Sequence, residues 1–219
     1  MGEQDSKGVN DCYSAGERGA MLATQRWRGV LLQPMLGLLT RCGVTPDLIT
    51  IVSTVAGLAF CPVWFVHPLG ASGLLLLHVI LDGIDGPLAR YQNVASGKGS
   101  FTDTMADQTI VFASTVTLMA AGAVGIVPAA VYLFAYTIVV AFAMIRNALK
   151  IPYSWLVRPR IIVYCWIPIN AYWWPGSLDY VLMVFDVLLS WKLLTGFYKL
   201  RNKLSEMEGA GIAAGDGGE

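Results

Sequence analysis

Apolar residues recur along this chain in long runs, separated by short polar or glycine- and proline-bearing stretches. Six runs reach the length of a membrane span, for which roughly 20 mainly apolar residues suffice. They are expected as helices over Pro46–Val66, Ala71–Arg90, Gly99–Ala121, Ile126–Leu149, Ile161–Trp174 and Leu178–Tyr198. The fifth is short and carries Pro168, which fits a tilted helix or one starting nearer Ile151. Ahead of the first run, "MLATQRWRGVLLQPMLGLLTRC" mixes apolar residues with Arg26, Arg28 and Arg41. That mixture predicts an amphipathic helix lying in the interface, with Pro34 as a break point. In "TPDLIT", Thr45 suits a helix cap and Pro46 the first turn.

Composition and charge sharpen this picture. The chain has 219 residues, 55% hydrophobic and 14% charged, where a soluble domain carries about a quarter charged. This is an all-α integral membrane protein by composition. It divides into a polar tail (1–20), the interfacial helix (21–44), a six-span domain (45–203) and a glycine-rich flexible tail (204–219). The opening "MGEQDSKGVNDCYSAGERGA" has no apolar core of a signal peptide. Gly2 and Ser6 match the outline of a myristoylation signal, but a chain with many spans gains little from one acyl group. Cys12, Cys42, Cys61 and Cys165 form no metal spacing and read as unpaired. Formal net charge is zero, and no nucleic-acid partner is expected.

Where the charges fall is more telling. Arg18, Arg26, Arg28 and Arg41 precede the first run, and Arg90 and Lys98 separate the second from the third. Arg146, Lys150, Arg158 and Arg160 separate the fourth from the fifth, and Lys192, Lys199, Arg201 and Lys203 close the sixth. The alternate loops "HPLGAS", "AGAVGI" and "WPGS" hold no Lys or Arg. Basic residues resist translocation, so both termini are expected in the cytoplasm. Trp155, Trp166, Trp173 and Trp174 sit near run ends, as an aromatic belt would.

Against that apolar background, "LDGIDGPLARYQNVASGKGSFTDTMAD" holds four aspartates. Asp82 and Asp85 close the second run at i, i+3. Asp103 and Asp107 open the third at i, i+4. Each pair shares a helix side. The short connection predicts neighbouring antiparallel helices with all four carboxylates at one depth. Ionised together in low dielectric they would repel strongly. Protonation would relieve that, as in a proton relay. So would a hard divalent cation, Mg²⁺, Mn²⁺ or Ca²⁺ rather than zinc, and Mg²⁺ keeps positions open for phosphates. Arg90 offers a fork for phosphate or base, and Gly86 allows close approach. An ion-pair cluster fastening two helices would also retain these residues, with Arg90 as counter-ion. A cation- or proton-coupled transporter is a further alternative, although it predicts inverted repeats and mid-membrane sites that are not evident here.

The spacing Asp82-xx-Asp85-Gly86-xx-Ala89-Arg90, eight residues, Gly99-xxx-Asp103-xxx-Asp107 resembles the signature of the CDP-alcohol phosphotransferases at every fixed position. "TPDLIT" resembles the family's short element before its first span, with Asp47 where Asn is frequent. The resemblance covers Val30 to Leu200 and implies six spans, a homodimer and an active site facing the cytoplasm. It implies attack by an acceptor hydroxyl on the alcohol-side phosphorus of a CDP-alcohol, with CMP leaving. By position, Asp82, Asp85 and Asp103 would hold Mg²⁺ or Mn²⁺, as one ion or a pair. Asp107 would be the general base and touch a second ion. Gly86, Ala89, Arg90 and Gly99 would line the CDP pocket.

The signature leaves open which side of the reaction carries the lipid. CDP-diacylglycerol with a small polar acceptor is one form; CDP-choline or CDP-ethanolamine with diacylglycerol is the other. Arg146, Lys150, Arg158 and Arg160 could hold a phosphate on the acceptor, as in glycerol 3-phosphate or inositol phosphate, or simply follow the positive-inside rule. The wording around "TDTMADQ" is closer to the glycerol-phosphate type of enzyme than to the serine type, and the chain's small size resembles the bacterial phosphatidyl-transferring kind, so CDP-diacylglycerol with a phosphorylated polyol is expected. His78 reads as a partner of Asp82 or a packing residue. Lys192 can snorkel, and the pattern gives Asp186 no role.

Overall fold

The computed structural model of the chain describes residues 32–149 and 158–215, with side chains described through residue 207. Among these residues there are seven helices and no strand. Helix α1 covers residues 32–41. It is followed by α2 (Pro46–Trp64), α3 (Pro68–Tyr91), α4 (Gly97–Ala120), α5 (Ile126–Ala148), α6 (Pro159–Tyr172) and α7 (Ser177–Gly215). The tail 1–20, Arg26, Arg28, Lys150, Trp155 and Cys12 fall outside the described residues.

Helix boundaries follow local chemistry. Thr45 caps α2, accepting from the Leu48 amide at 3.3 Å, with Pro46 in the first turn. Ser96 caps α4, accepting from the Gly99 amide at 3.1 Å. Between them, α3 ends on Asn93 in the left-handed region (φ 59°), a conformation Asn tolerates better than most residues. The amides of Asn93 and Val94 return to the carbonyls of Arg90 and Ala89, at 3.2 and 2.9 Å. This closed helix end turns the chain sharply from α3 toward α4.

Helices α2, α3, α5 and α7 are long and apolar enough to cross a membrane. Helices α4 and α6 occupy two of the six expected spans without meeting that measure. The first half of α4 carries Lys98, Asp103, Asp107 and several Ser and Thr residues. Helix α6 has only 14 residues. Pro34 lies within the described part of α1, and the stretch of the expected interfacial helix before residue 32 falls outside the described residues. Leu36 then anchors α1 on Ile49 of α2 and Leu88 of α3. At the other end, α7 continues as helix to Gly215, past the expected end at Tyr198 and through most of the segment expected to be flexible. Lys, Leu, Arg, Glu and Met over residues 199–207 are good helix formers, and Lys203 pairs with Glu206 at 3.0 Å.

The core draws on every long helix: Phe60, Leu75, Ile110, Tyr132, Ile167 and Leu189 are fully buried in one cluster. Outward faces remain apolar, with Val55, Phe134 and Trp191 each over 60% exposed, as suits a surface solvated by lipid. Helix α2 packs on α3 and α4, α5 on α4 and α7, and α6 on α3 and α7. Away from the aspartates, polar groups tie the loops. Asp179 accepts from the Gly125 amide at 2.7 Å, and Asn170 bridges the Ala123 carbonyl and the Leu178 amide at 3.0 Å each.

The crossing of α2 and α4 is tight at Gly57. A Cβ there would lie 2.7 Å from Ile110 Cδ1 and 3.0 Å from its Cγ1 and Cγ2. Gly57→Ala is expected to lower stability by about 1–3 kcal/mol, the usual cost of overpacking. Thermal unfolding in detergent reads this directly. Adding Ile110→Val should recover part of the loss, and an unchanged midpoint in the single variant would contradict the close crossing.

Candidate active site

Three helix ends converge at the expected carboxylates. Asp82 and Asp85 come from the last turns of α3, and Asp103 and Asp107 from the first turns of α4. Each of Asp82, Asp85 and Asp103 offers an oxygen such that the three lie within 4.8 Å of one another. The short connection does not pack α3 closely on α4 along their length, as sequence spacing had suggested. Among the described residues each helix packs principally on other neighbours, and the acidic side chains reach across the gap.

Surrounding donors differ from those expected. Thr50 of α2 donates to Asp85 Oδ2 at 2.9 Å, and the Gly86 amide donates to Asp85 Oδ1 at 2.5 Å. Arg160, in the first turn of α6, donates to Asp82 Oδ2 at 2.6 Å through Nη2 and pairs with Asp107 Oδ2 through Nη1. Arg160 therefore lies among the aspartates as a buried counter-ion, whereas the sequence reading grouped it with residues awaiting an acceptor's phosphate. Arg90, read as the alternative counter-ion, is exposed and lies over Gly86. A Cβ at Gly86 would sit 3.7 Å from Arg90 Nη1. His78 makes its nearest carboxylate approach to Asp107 rather than to Asp82. Its Nε2 faces Asp107 Oδ1 at 3.5 Å, and its Nδ1 lies 2.7 Å from Ser53 Oγ.

The remaining candidates spread over the same end of the bundle. Ala89 is half-buried, and Gly99 is exposed on the α4 N-terminal turn. Arg146 is buried in the last turn of α5, and Arg158 is exposed at the start of α6. Thr50 and Ser53 were not singled out from sequence. A signal was available: Thr50, Ser53, Thr54 and Gly57 recur at i, i+3, i+4 and i+7 within an apolar run, which marks one polar stripe on α2.

Chemically, three clustered carboxylates are hard oxygen donors, and their spacing is compatible with a divalent metal site. The model of the CDP-alcohol phosphatidyltransferase family matches residues 43–192, which include all four aspartates. The chain belongs to the CDP-alcohol phosphatidyltransferase family. The family is one of phosphotransferases acting on substituted phosphate groups.

Related proteins agree with this placement. An archaetidylinositol phosphate synthase of Aeropyrum pernix is 35% identical over 71 residues, a stretch that covers 32% of this chain and 37% of that protein. The match thus spans little more than a third of that relative. The crystal structure of Mycobacterium tuberculosis phosphatidylinositol phosphate synthase with CDP-DAG bound superposes with a TM-score of 0.65 at 20% identity, over 75% of this chain and 90% of that one. The same enzyme in complex with manganese and citrate gives 0.63 at 20% identity, over 75% and 86%. Both share the fold.

Removing Arg160 would leave two buried carboxylates without their counter-ion. Arg160→Met is expected to destabilise the metal-free protein by about 3–5 kcal/mol, the usual cost of breaking a buried pair by removing one partner. Thermal unfolding in the presence of a chelator measures this. A midpoint equal to wild type would show that Arg160 does not neutralise the cluster.

Proposed function

We propose that this enzyme transfers the phosphatidyl group of CDP-diacylglycerol to the hydroxyl of a phosphorylated polyol, with release of CMP. The observation that carries this reading is the convergence of Asp82, Asp85 and Asp103 beside Asp107 within the family signature. In the proposed step, the acceptor hydroxyl oxygen forms a bond to the alcohol-side phosphorus. The bond from that phosphorus to the CMP oxygen breaks, and CMP departs with the electron pair. The hydroxyl proton passes to Asp107 as general base.

Asp82, Asp85 and Asp103 would hold Mg²⁺ or Mn²⁺, with Asp107 at the edge of a second position. When bound, such an ion supplies electrostatic stabilisation of charge on the diphosphate oxygens. Thr50 and the Gly86 amide orient Asp85 by donating to both of its oxygens. Gly86 leaves open backbone for the nucleotide, Arg90 is free to reach its phosphates, and Ala89 and Gly99 complete the wall. Burial of Asp107 and Arg160 keeps bulk water from competing with the acceptor.

A phosphate on the acceptor is supported by Arg146, which is buried at the same end of the bundle, with Arg158 and Lys150 nearby in sequence. The related synthases carry phosphoinositol-type names, which points the same way. Arg160 would contribute only from its seat between Asp82 and Asp107. All six helices α2 to α7 are proposed to cross the bilayer. The two less apolar ones, α4 and α6, are flanked by apolar neighbours. The basic residues that flank α3, α5 and α7 at the aspartate end support a cytoplasmic position for that end and for both termini.

Purified protein incubated with Mg²⁺ or Mn²⁺, each CDP-alcohol and a panel of acceptors should release CMP only with CDP-diacylglycerol and a polyol phosphate. CMP release with CDP-choline and diacylglycerol would instead select the opposite transfer. Asp107→Asn should keep CDP-diacylglycerol binding while turnover falls by about 10²–10⁴-fold; undiminished turnover would remove the base assignment. Arg146→Ala should raise the acceptor's KM about tenfold or more and leave the donor's unchanged, the loss of a charge-assisted contact of ~1.5–3 kcal/mol. An unchanged acceptor KM would remove Arg146 from the pocket.

A further inference from the structure

His78 Nε2 and Asp107 Oδ1 are both buried, and neither has a hydrogen-bond partner. Orphaned polar atoms of this kind are uncommon and call for a reason. Here each faces the other at 3.5 Å, a separation that a few tenths of an ångström would turn into a good hydrogen bond.

The rest of the geometry makes the pairing directional. His78 is 2% exposed and Ser53 is 3% exposed, so no bulk water competes for the ring. Ser53 Oγ donates to the His78 carbonyl oxygen at 3.1 Å and lies 2.7 Å from Nδ1. With the ring proton on Nε2, the Ser53 hydroxyl turns from that carbonyl to donate to Nδ1, and the Nε2–H is left to face Asp107 Oδ1. This tautomer gives Nδ1 a donor and presents a donor to the carboxylate. Tyr164 packs at the ring edge, with centroids 6.4 Å apart, and limits its rotation. On the opposite side, Arg160 holds Asp107 Oδ2. The carboxylate thus faces a side chain of a different helix at each oxygen.

We propose that Ser53 and His78 are positioning residues that act through Asp107, fixing the plane of its carboxylate relative to the acceptor hydroxyl. This deepens the proposed function and rests on Asp107 being the base. Ser53 on α2, His78 on α3 and Asp107 on α4 form one line across three helices. Each carboxylate oxygen still has a free lone-pair direction after its contact, so the grip leaves room for the acceptor proton. The arrangement requires a donor at the Nε2 position; a side chain of the same volume without one does not suffice.

The chain has only two histidines, and the other, His67, is exposed at the opposite end of α3, so the ring can be followed directly. In ¹⁵N-imidazole spectra of the full-length protein, Asp107→Asn should shift the His78 resonances and leave those of His67 in place. Unmoved His78 resonances would overturn the contact, and this arm keeps His78 itself intact.

Activity then separates positioning from packing. His78→Ala should lower kcat about 10–100-fold, as loss of a group orienting a reactive ligand does, with the donor KM held within about twofold. His78→Gln places an amide near the Nε2 position and should recover about tenfold. His78→Asn reaches Ser53 but not Asp107 and should not recover. Wild-type kcat in His78→Ala, or equal recovery by Asn and Gln, overturns the proposal. If either occurs while Asp107→Asn is inactive, only the positioning role fails. If Asp107→Asn itself turns over normally, the base assignment fails instead.

Discussion

The structure of this end of the molecule depends on how a membrane bundle tolerates negative charge. Asp82, Asp85, Asp103 and Asp107 lie at the junction of α3 and α4, and Asp85 is almost fully buried. In a medium of low dielectric, like charges at such range repel by several kcal/mol. The bundle answers with donors from three helices: Thr50 from α2, the Gly86 amide from α3 and Arg160 from α6. Arg160 spans Asp82 and Asp107, and so links α6 to both halves of the signature.

That requirement shapes the packing. If α3 and α4 lay flat against one another, their acidic faces would be forced into contact. Instead α2 packs against both helices, and the acidic side chains of α3 and α4 approach one another across the gap between them. The close crossing at Gly57 and Ile110 draws α4 onto α2 while keeping the polar stripe of α2 beside the carboxylates. Asn93 and Ser96 confine the α3–α4 turn to a few residues, which holds the two pairs of aspartates at one depth. The polar ties at the other end, through Asp179 and Asn170, bind the remaining loops.

Local signals were legible where local physics decides. The Thr45 cap, the Pro46 start and the limits of α2 and α5 fall within a few residues of expectation, because capping chemistry and apolar run length set them. The signature aspartates were legible because helical spacing dictates which side they share. The partners were not. Arg160 is 53 residues from Asp107 in sequence and belongs to a basic loop whose composition the positive-inside rule already explains. Nothing in spacing could send it to Asp82 and Asp107 rather than to a ligand. His78 at i−4 from Asp82 pointed to Asp82, yet the tertiary position of α4 brings Asp107 to its ring instead. The end of α7 was read as flexible from its glycines, but the helix formers before them carry the helix onward.

The charge balance bears on what the cluster is for. A cluster retained only to fasten helices would do best with matched charges, and replacing it with apolar residues would often be neutral or stabilising. Among the described ion pairs the four carboxylates meet one guanidinium, that of Arg160, and Arg90 is exposed beside Gly86. Fastening α6 to the signature needs only Asp82 and Asp107. Asp85 and Asp103 add repulsion and contribute nothing to that link. A positive species with oxygen affinity would balance the excess, and the exposed Arg90 lies beside it over Gly86. The mismatch of charge, more than the presence of aspartates, favours a cation-assisted phosphoryl site over a structural ion pair.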